Sequence, residues 1–290
     1  MVILFSIILG LFLVVLFVCG ITRHVYPKLL YFPEKKLALD VTPAVDHLQY
    51  EDVFLTTSDH VRIHAWWMKT SRPGAPTMLY FHGNAGYVGT RIAHSGLLLR
   101  HTQINVLLID YRGYGLSEGD PSERGLQKDA DAALAWVRAQ ETVDKSKIYV
   151  YGQSLGGAVA IWAAHAHPSE VAGIVLENTF TSLRAEAAVL VPKIRFLVWA
   201  LIPDVWNSAA LISKIRLPLL VISGRSDEMI PPLMCEKLFS FAGTQRKQLY
   251  MVPQGMHNDT WARGGQKYYE VLRTFMDMPP ASPLVSSDDC

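Results

Sequence analysis

Hydrophobic and polar positions along the chain follow two different repeats. "YEDVFLTT" (50–57) and "VRIHAWWMK" (61–69) carry alternating β-branched and aromatic residues on either side of Ser58-Asp59-His60, which predicts an antiparallel hairpin. From there short apolar runs alternate with amphipathic stretches. "TMLYFH" precedes 89–100, "INVLLID" precedes 123–140, and "KIYVYG" precedes 156–165. "GIVLEN", "LPLLVIS" and "KQLYMVP" follow, the last leading into a helical stretch over 265–276. An apolar run with no polar face suits a strand covered on both sides. The pattern therefore predicts an α/β domain, a mostly parallel eight-stranded sheet with helices on both faces, starting near Leu48 and spanning 48–278.

Between "GIVLEN" and "LPLLVIS" the strand pattern lapses. Residues of about 178–216, including "PKIRFLVWALIPDVW", read as a short helical lid. Residues 23–47, with Pro27, Pro33 and Pro43, read as a linker. The Pro/Ser-rich, acidic stretch 279–290 is expected to be a mobile tail.

The first element lies outside that domain. Val2–Ile21 is uncharged for 20 residues, and a helix rising ~1.5 Å per residue over that length matches a hydrocarbon slab of about 30 Å. Residues 1–22 are thus expected to be a single-pass membrane anchor. A cleaved signal peptide or a buried core helix would compete, but no Lys or Arg precedes the run. Arg23, Lys28, Lys35 and Lys36 all follow it, and the positive-inside rule then favours a cytosolic catalytic domain. The sequon Asn258-Asp259-Thr260, beside His257, leans the same way, because a lumenal glycan there would crowd the site argued below.

Charge and cysteine content narrow the classes. A net charge of +1 without a Lys/Arg run provides no electrostatic footprint for nucleic acid. Cys19, Cys235 and Cys290 cannot make a disulfide framework. No Cys/His/Asp/Glu cluster has metal-ligand spacing, and Gly83-Asn84-Ala85-Gly86 is not a dinucleotide loop, so neither metal nor cofactor is expected.

Gly152-Gln153-Ser154-Leu155-Gly156 fits G-x-S-x-G between a predicted strand and helix, the setting of a nucleophile elbow. An ordinary glycine turn with a capping serine would look similar in five residues, but the flanking elements favour the elbow. A serine hydroxyl needs a base, and the base an orienting acid, in the chain order Ser, Asp or Glu, His. Asp227 follows the strand "LPLLVIS" and His257 follows "KQLYMVP", so both are expected to face Ser154. The backbone N–H of Leu155 and one N–H of the 83–85 loop would make the oxyanion hole; Asn84 is chosen, with Gly83 and Ala85 possible. His82 then serves that loop structurally. The other histidines have plainer readings: His60 in a turn, His94 and His101 on a helix surface or end, His165 and His167 near a helix terminus. Asp110 precedes Ser154 and is expected, with Arg112, to hold its loop, while Glu177 is a topologically possible substitute for Asp227.

With "FHGNAG", "DYRGYGLSEG", "YGQSLGGAVA", "ENTFTS", "GRSDEMIPP" and "GMHND" in this order, the sequence resembles the α/β-hydrolase superfamily. Within it, the chain looks like the membrane-anchored Bem-forty-six-like group, that of α/β-hydrolase-domain protein thirteen. The resemblance covers about Tyr50 to Phe275 and places the nucleophile on Ser154, the acid on Asp227 and the base on His257. A related branch consists of protein depalmitoylases held at membranes by an amino-terminal cysteine cluster; this chain has an apolar span instead.

The chemistry expected is acyl transfer to water from an ester or thioester, without a metal. Anchorage and the apolar "FLVWALIPDVW" suggest an acyl-bearing substrate reached from the bilayer, an S-acylated protein or a lipid. The competing class is a membrane-bound interaction module that has lost turnover, against which the intact serine, acid and histidine argue. Oligomeric state is not legible in the sequence.

Overall fold

The apolar runs assemble, in a computed structural model that describes Gly20 and residues 26–36 and 41–277, into an eight-stranded sheet. Its strands are β1 (Tyr50–Thr56), β2 (Arg62–Met68), β3 (Thr77–Phe81), β4 (Asn105–Ile109), β5 (Ile148–Gln153), β6 (Gly173–Glu177), β7 (Leu219–Gly224) and β8 (Lys247–Val252). They lie in the spatial order β1-β2-β4-β3-β5-β6-β7-β8. The hairpin β1/β2 and the β2/β4 pair are antiparallel, and every later pairing is parallel.

Strand side chains alternate between two buried faces. Leu79, Phe81, Leu107, Ile109, Val150 and Leu176 join one apolar cluster; Met78, Tyr80, Leu108, Tyr151, Val175 and Ile222 join the other. The first face is covered by helices α2 (Glu123–Ala139) and α3 (Leu155–Ala166), and the second by α1 (Ile92–Thr102) and a carboxy-terminal helix, Gly265–Met276. Burial on both faces explains why these strands show no polar repeat. The stretch expected as one helix over 89–100 begins as a 3-10 turn, Val88–Arg91, and becomes α-helical only at Ile92.

The lid region holds α4 (Leu183–Leu190), a 3-10 turn (Pro192–Ile194), α5 (Arg195–Leu201) and α6 (Ser208–Ile212), with no strand among its described residues. Part of the expected linker is built into the fold instead. Leu30 and Tyr31 are buried in the larger cluster, and Phe32–Pro33 pairs in parallel with Ala85–Gly86. A pairing two residues long is too short to leave a hydrophobic period, so nothing in the local pattern marks it.

The predicted anchor, apart from Gly20, and the carboxy-terminal tail lie outside the described residues. Among those described, no helix is long and apolar enough to cross a membrane.

Candidate active site

Strand β5 ends in a turn so tight that side chains are excluded from it. A Cβ on Gly152 would come 2.0 Å from the Gly156 carbonyl oxygen, and one on Gly156 would come 2.0 Å from the Phe81 carbonyl oxygen. Between them Ser154 sits at φ 55, ψ −122, a conformation that L-residues rarely hold without surrounding support. That support is backbone. Ser154 N–H donates to Glu177 O at 2.9 Å, and Thr179 Oγ1–H donates to Ser154 O at 2.7 Å. Helix α3 starts at Leu155, so its positive end faces the space beside the hydroxyl.

Asp227 and His257 come from the loops after β7 and β8. His257 Nδ1–H donates to Asp227 Oδ2 at 2.9 Å, with both residues buried. The other carboxylate oxygen accepts from the N–H groups of Met229 and Ile230, at 2.9 and 2.8 Å, which fixes the plane of the acid. Gln153 ties the elbow to the histidine loop, its Nε2–H donating to His257 O at 3.0 Å.

Asn178, which the sequence reading passed over, joins these loops. At φ 45 after β6, its Nδ2 donates to Met256 O, His257 O and Thr260 Oγ1 over 2.9–3.2 Å. Its Oδ1 accepts from Gly224 N–H at 2.8 Å. One buried amide thus braces the end of β7 and the turn carrying His257. A left-handed asparagine just after a strand was the only local sign of it.

The loop after β3 faces the serine. A Cβ on Gly83 would lie 3.5 Å from Ser154 Cβ, so the peptide groups around Asn84 border the same space as Leu155 N–H. His82 is structural there, as expected: its Nδ1–H donates to Gly83 O at 2.7 Å, and burial depresses its pKa to about 3, keeping the ring neutral. Asp110 and Arg112 hold separate parts of the frame. Asp110 Oδ1 accepts from Val88 N–H at 2.8 Å, whereas Arg112 spans Asp129 and Asp59. His94 departs from its expected surface position. It is buried, with Tyr80 O–H donating to Nδ1 at 2.9 Å and Trp261 stacked on the ring. Helix α1 buries this residue on the face that also buries Ser95, Leu98 and Leu99, while Ala93 is exposed.

Residues 76–197 match the α/β hydrolase fold family. Alpha/beta hydrolase domain-containing protein WAV2 of Arabidopsis thaliana is 37% identical over 267 residues, covering 86% of this chain and 87% of that protein. The chain belongs to the α/β-hydrolase family. Protein bem46 of Schizosaccharomyces pombe is 36% identical over 255 residues, 87% of this chain and 84% of its own, in line with the group resemblance read from the motifs. The Saccharomyces cerevisiae uncharacterized membrane protein YNL320W is 35% identical over 238 residues, 81% and 82% of the two chains. The Pyrococcus furiosus esterase PF2001 shares the fold, with a TM-score of 0.69 at 21% identity over 85% of this chain and 97% of that one.

In this α/β hydrolase the alternative acid, Glu177, is turned to the other face of the sheet. Its Oε2 accepts from Tyr151 O–H at 3.0 Å and from Tyr268 O–H. Burial pushes its pKa up from 4.5 to about 7. A folded-state pKa above the unfolded value means that the folded protein holds the proton more tightly. The associated stability is present below about pH 4.5 and is lost as pH rises through about 7. Glu177→Gln is therefore expected to flatten the fall in unfolding free energy, read from urea denaturation, between pH 5 and pH 8, by up to on the order of 3 kcal/mol. Equal pH slopes in the two proteins would show that Glu177 titrates alike folded and unfolded.

A cavity of about 470 Å³ opens between the 26–32 segment, Asn84 and the lid, walled mainly by Leu29, Leu30, Leu183, Leu190 and Ile202. Its size suits a small organic group. Met229, whose N–H holds Asp227, also lines it, as does the carboxyl-bearing Glu186. Burial pushes the Glu186 pKa up to about 7, with His257 and Asp227 close enough to act on it in opposite directions. Among the described residues no group of three or more His, Cys, Asp and Glu side chains could hold a metal ion.

Proposed function

We propose that this α/β hydrolase is a membrane-anchored serine hydrolase that cleaves an acyl ester or thioester. The observation that carries the reading is the forced left-handed Ser154 at the start of α3, set in one frame with the His257–Asp227 pair. Ser154 Oγ attacks the acyl carbonyl as its proton passes to His257 Nε2; the C–Oγ bond forms and the carbonyl π pair moves onto oxygen. The Leu155 and Asn84 N–H groups stabilise that oxyanion. His257 then gives the proton to the leaving oxygen or sulfur as its bond to carbon breaks. Water, deprotonated by His257, attacks the acyl-enzyme carbonyl; as the carbonyl re-forms the C–Oγ bond breaks, His257 returns the proton to Ser154 Oγ and the acid leaves, while Asp227 stabilises the imidazolium in both halves.

The apolar cavity beside Asn84 supports an acyl group as the part recognised. Leu29 and Leu190 of its wall, and Phe196 and Trp199 on helix α5 of the lid, are 55–69% exposed, which suits contact with lipid. The uncharged run ending five residues before Tyr26 and the membrane-protein label of the yeast relative support anchorage.

A fluorophosphonate probe on the full chain, with the adduct mapped by mass spectrometry, tests the reading. Labelling is expected at Ser154 and to be abolished in His257→Ala. Absence of labelling, or labelling at another serine, would favour a catalytically silent interaction module.

A further inference from the structure

The segment that links the catalytic domain to whatever precedes it is hydrogen-bonded onto the oxyanion loop. Phe32 N–H donates to Asn84 O at 2.9 Å, and Asn84 Nδ2–H donates back to Leu30 O at 3.1 Å. Glu34 N–H donates to Gly86 O at 3.1 Å, and Glu34 O accepts from Gly115 N–H at 2.9 Å. The segment is pinned at depth as well, since buried Tyr31 accepts at its hydroxyl from Nε1–H of Trp206, a lid residue 3.0 Å away.

We infer that residues 30–34 are a positioning strap that holds Asn84, and with it the Asn84 N–H, in place beside Ser154, so that the reaction depends on a segment outside the strand–helix repeat. The geometry is that of one planar peptide. Gly83 O is held by the His82 ring, and in a trans peptide the Asn84 N–H points the opposite way. Rotation within Asn84 leaves that N–H unmoved, and what the remaining contacts fix is the place of the residue. Its carbonyl is fixed by the Phe32 N–H and by Tyr114 O–H at 2.8 Å, and its side chain by Leu30 O. Asn84 is thus gripped on both sides, and two of its three partners belong to the strap. An oxyanion donor contributes only if aimed before the reaction, and a displacement of about 1 Å can cost roughly 100-fold. The strap also walls the acyl cavity through Leu30 and Phe32, next to Leu29. Occupancy of the cavity and placement of the donor therefore share one structural element.

This inference rests on the serine-hydrolase reading, and its test separates the two. In the full chain, Phe32→Pro removes the strap donor, and Tyr114→Phe removes the second donor to the same carbonyl by deleting one oxygen. Each is expected to lower kcat for a p-nitrophenyl ester by about 10- to 100-fold, with KM within about twofold. The Ki of a trifluoromethyl ketone, which forms the tetrahedral adduct, should rise by the same factor. Phe32→Leu keeps the N–H and changes only the cavity wall, so it should move KM and spare kcat. If Phe32→Pro does not fold, Tyr114→Phe alone decides for the grip on Asn84, and Glu34→Pro, which removes the donor to Gly86, decides for the strap. Unchanged kcat and Ki in the folded variants, or an equal kcat loss in Phe32→Leu, would overturn the strap while leaving the hydrolase reading intact. A wild-type chain without esterase turnover or Ser154 labelling would overturn the reading itself.

Discussion

Ser154→Ala in the full chain is expected to lower turnover of a p-nitrophenyl ester by on the order of 10⁴- to 10⁶-fold, with circular dichroism unchanged. The fold should survive because the elbow is held through backbone: Ser154 N–H on Glu177 O and Ser154 O on Thr179 Oγ1 persist in alanine. Alanine meets the same steric cost at φ 55 as serine does. His257→Ala should lose about as much. The double variant should be hardly worse than either single one, because the two act as a unit in the same step. Full activity in a folded Ser154→Ala protein would mean that the nucleophile is elsewhere.

The second large effect concerns the acid. Asp227→Asn is expected to lower kcat by about 10⁴-fold, whereas Glu177→Gln should stay within a few-fold of wild type. An amide at position 227 still accepts from Met229 and Ile230 N–H through one oxygen, so the loop keeps its shape. It replaces the oxygen that accepts from His257 Nδ1–H, and the imidazole loses both its orientation and its counter-charge. The Glu177 carboxyl is occupied by Tyr151 and Tyr268 across the sheet, and the residue's link to the site is the backbone carbonyl that accepts from Ser154 N–H. Measuring kcat at pH 8 for both variants decides the matter. The reverse pattern would move the acid to Glu177 without disturbing the assignment of Ser154.

Local pattern carried the sheet far. Strands such as Ile148–Gln153 and Leu219–Gly224 are buried on both faces, so their apolar runs were visible without knowledge of neighbours, and α2 matched its amphipathic period almost to the residue. The elbow was equally visible, because the requirement for glycine at 152 and 156 arises within the same few residues. Asp227 and His257 could be nominated from strand-end order alone. That His257 meets Asp227 at 2.9 Å rather than Glu177 depends on which face of the sheet each carboxylate takes, which the fold sets.

Three features were invisible for one physical reason: their partners are distant in sequence. His94 is buried because Tyr80, Tyr268 and Trp261 close over it from three other elements. Asn178 is one more polar residue after a strand until the loops at 224 and 256–260 converge on its amide. The segment 30–34, with Pro33 and Glu34, sits in a stretch that reads as a linker, and only the approach of the loop at Asn84, some 50 residues on, makes Phe32–Pro33 a strand. The sequence by itself determined the strands, the helices and the serine turn, whose causes lie within a few residues. Only the tertiary structure decided the acid's partner, the bracing amide and the strap, because hydrogen bonds between remote segments leave no local period.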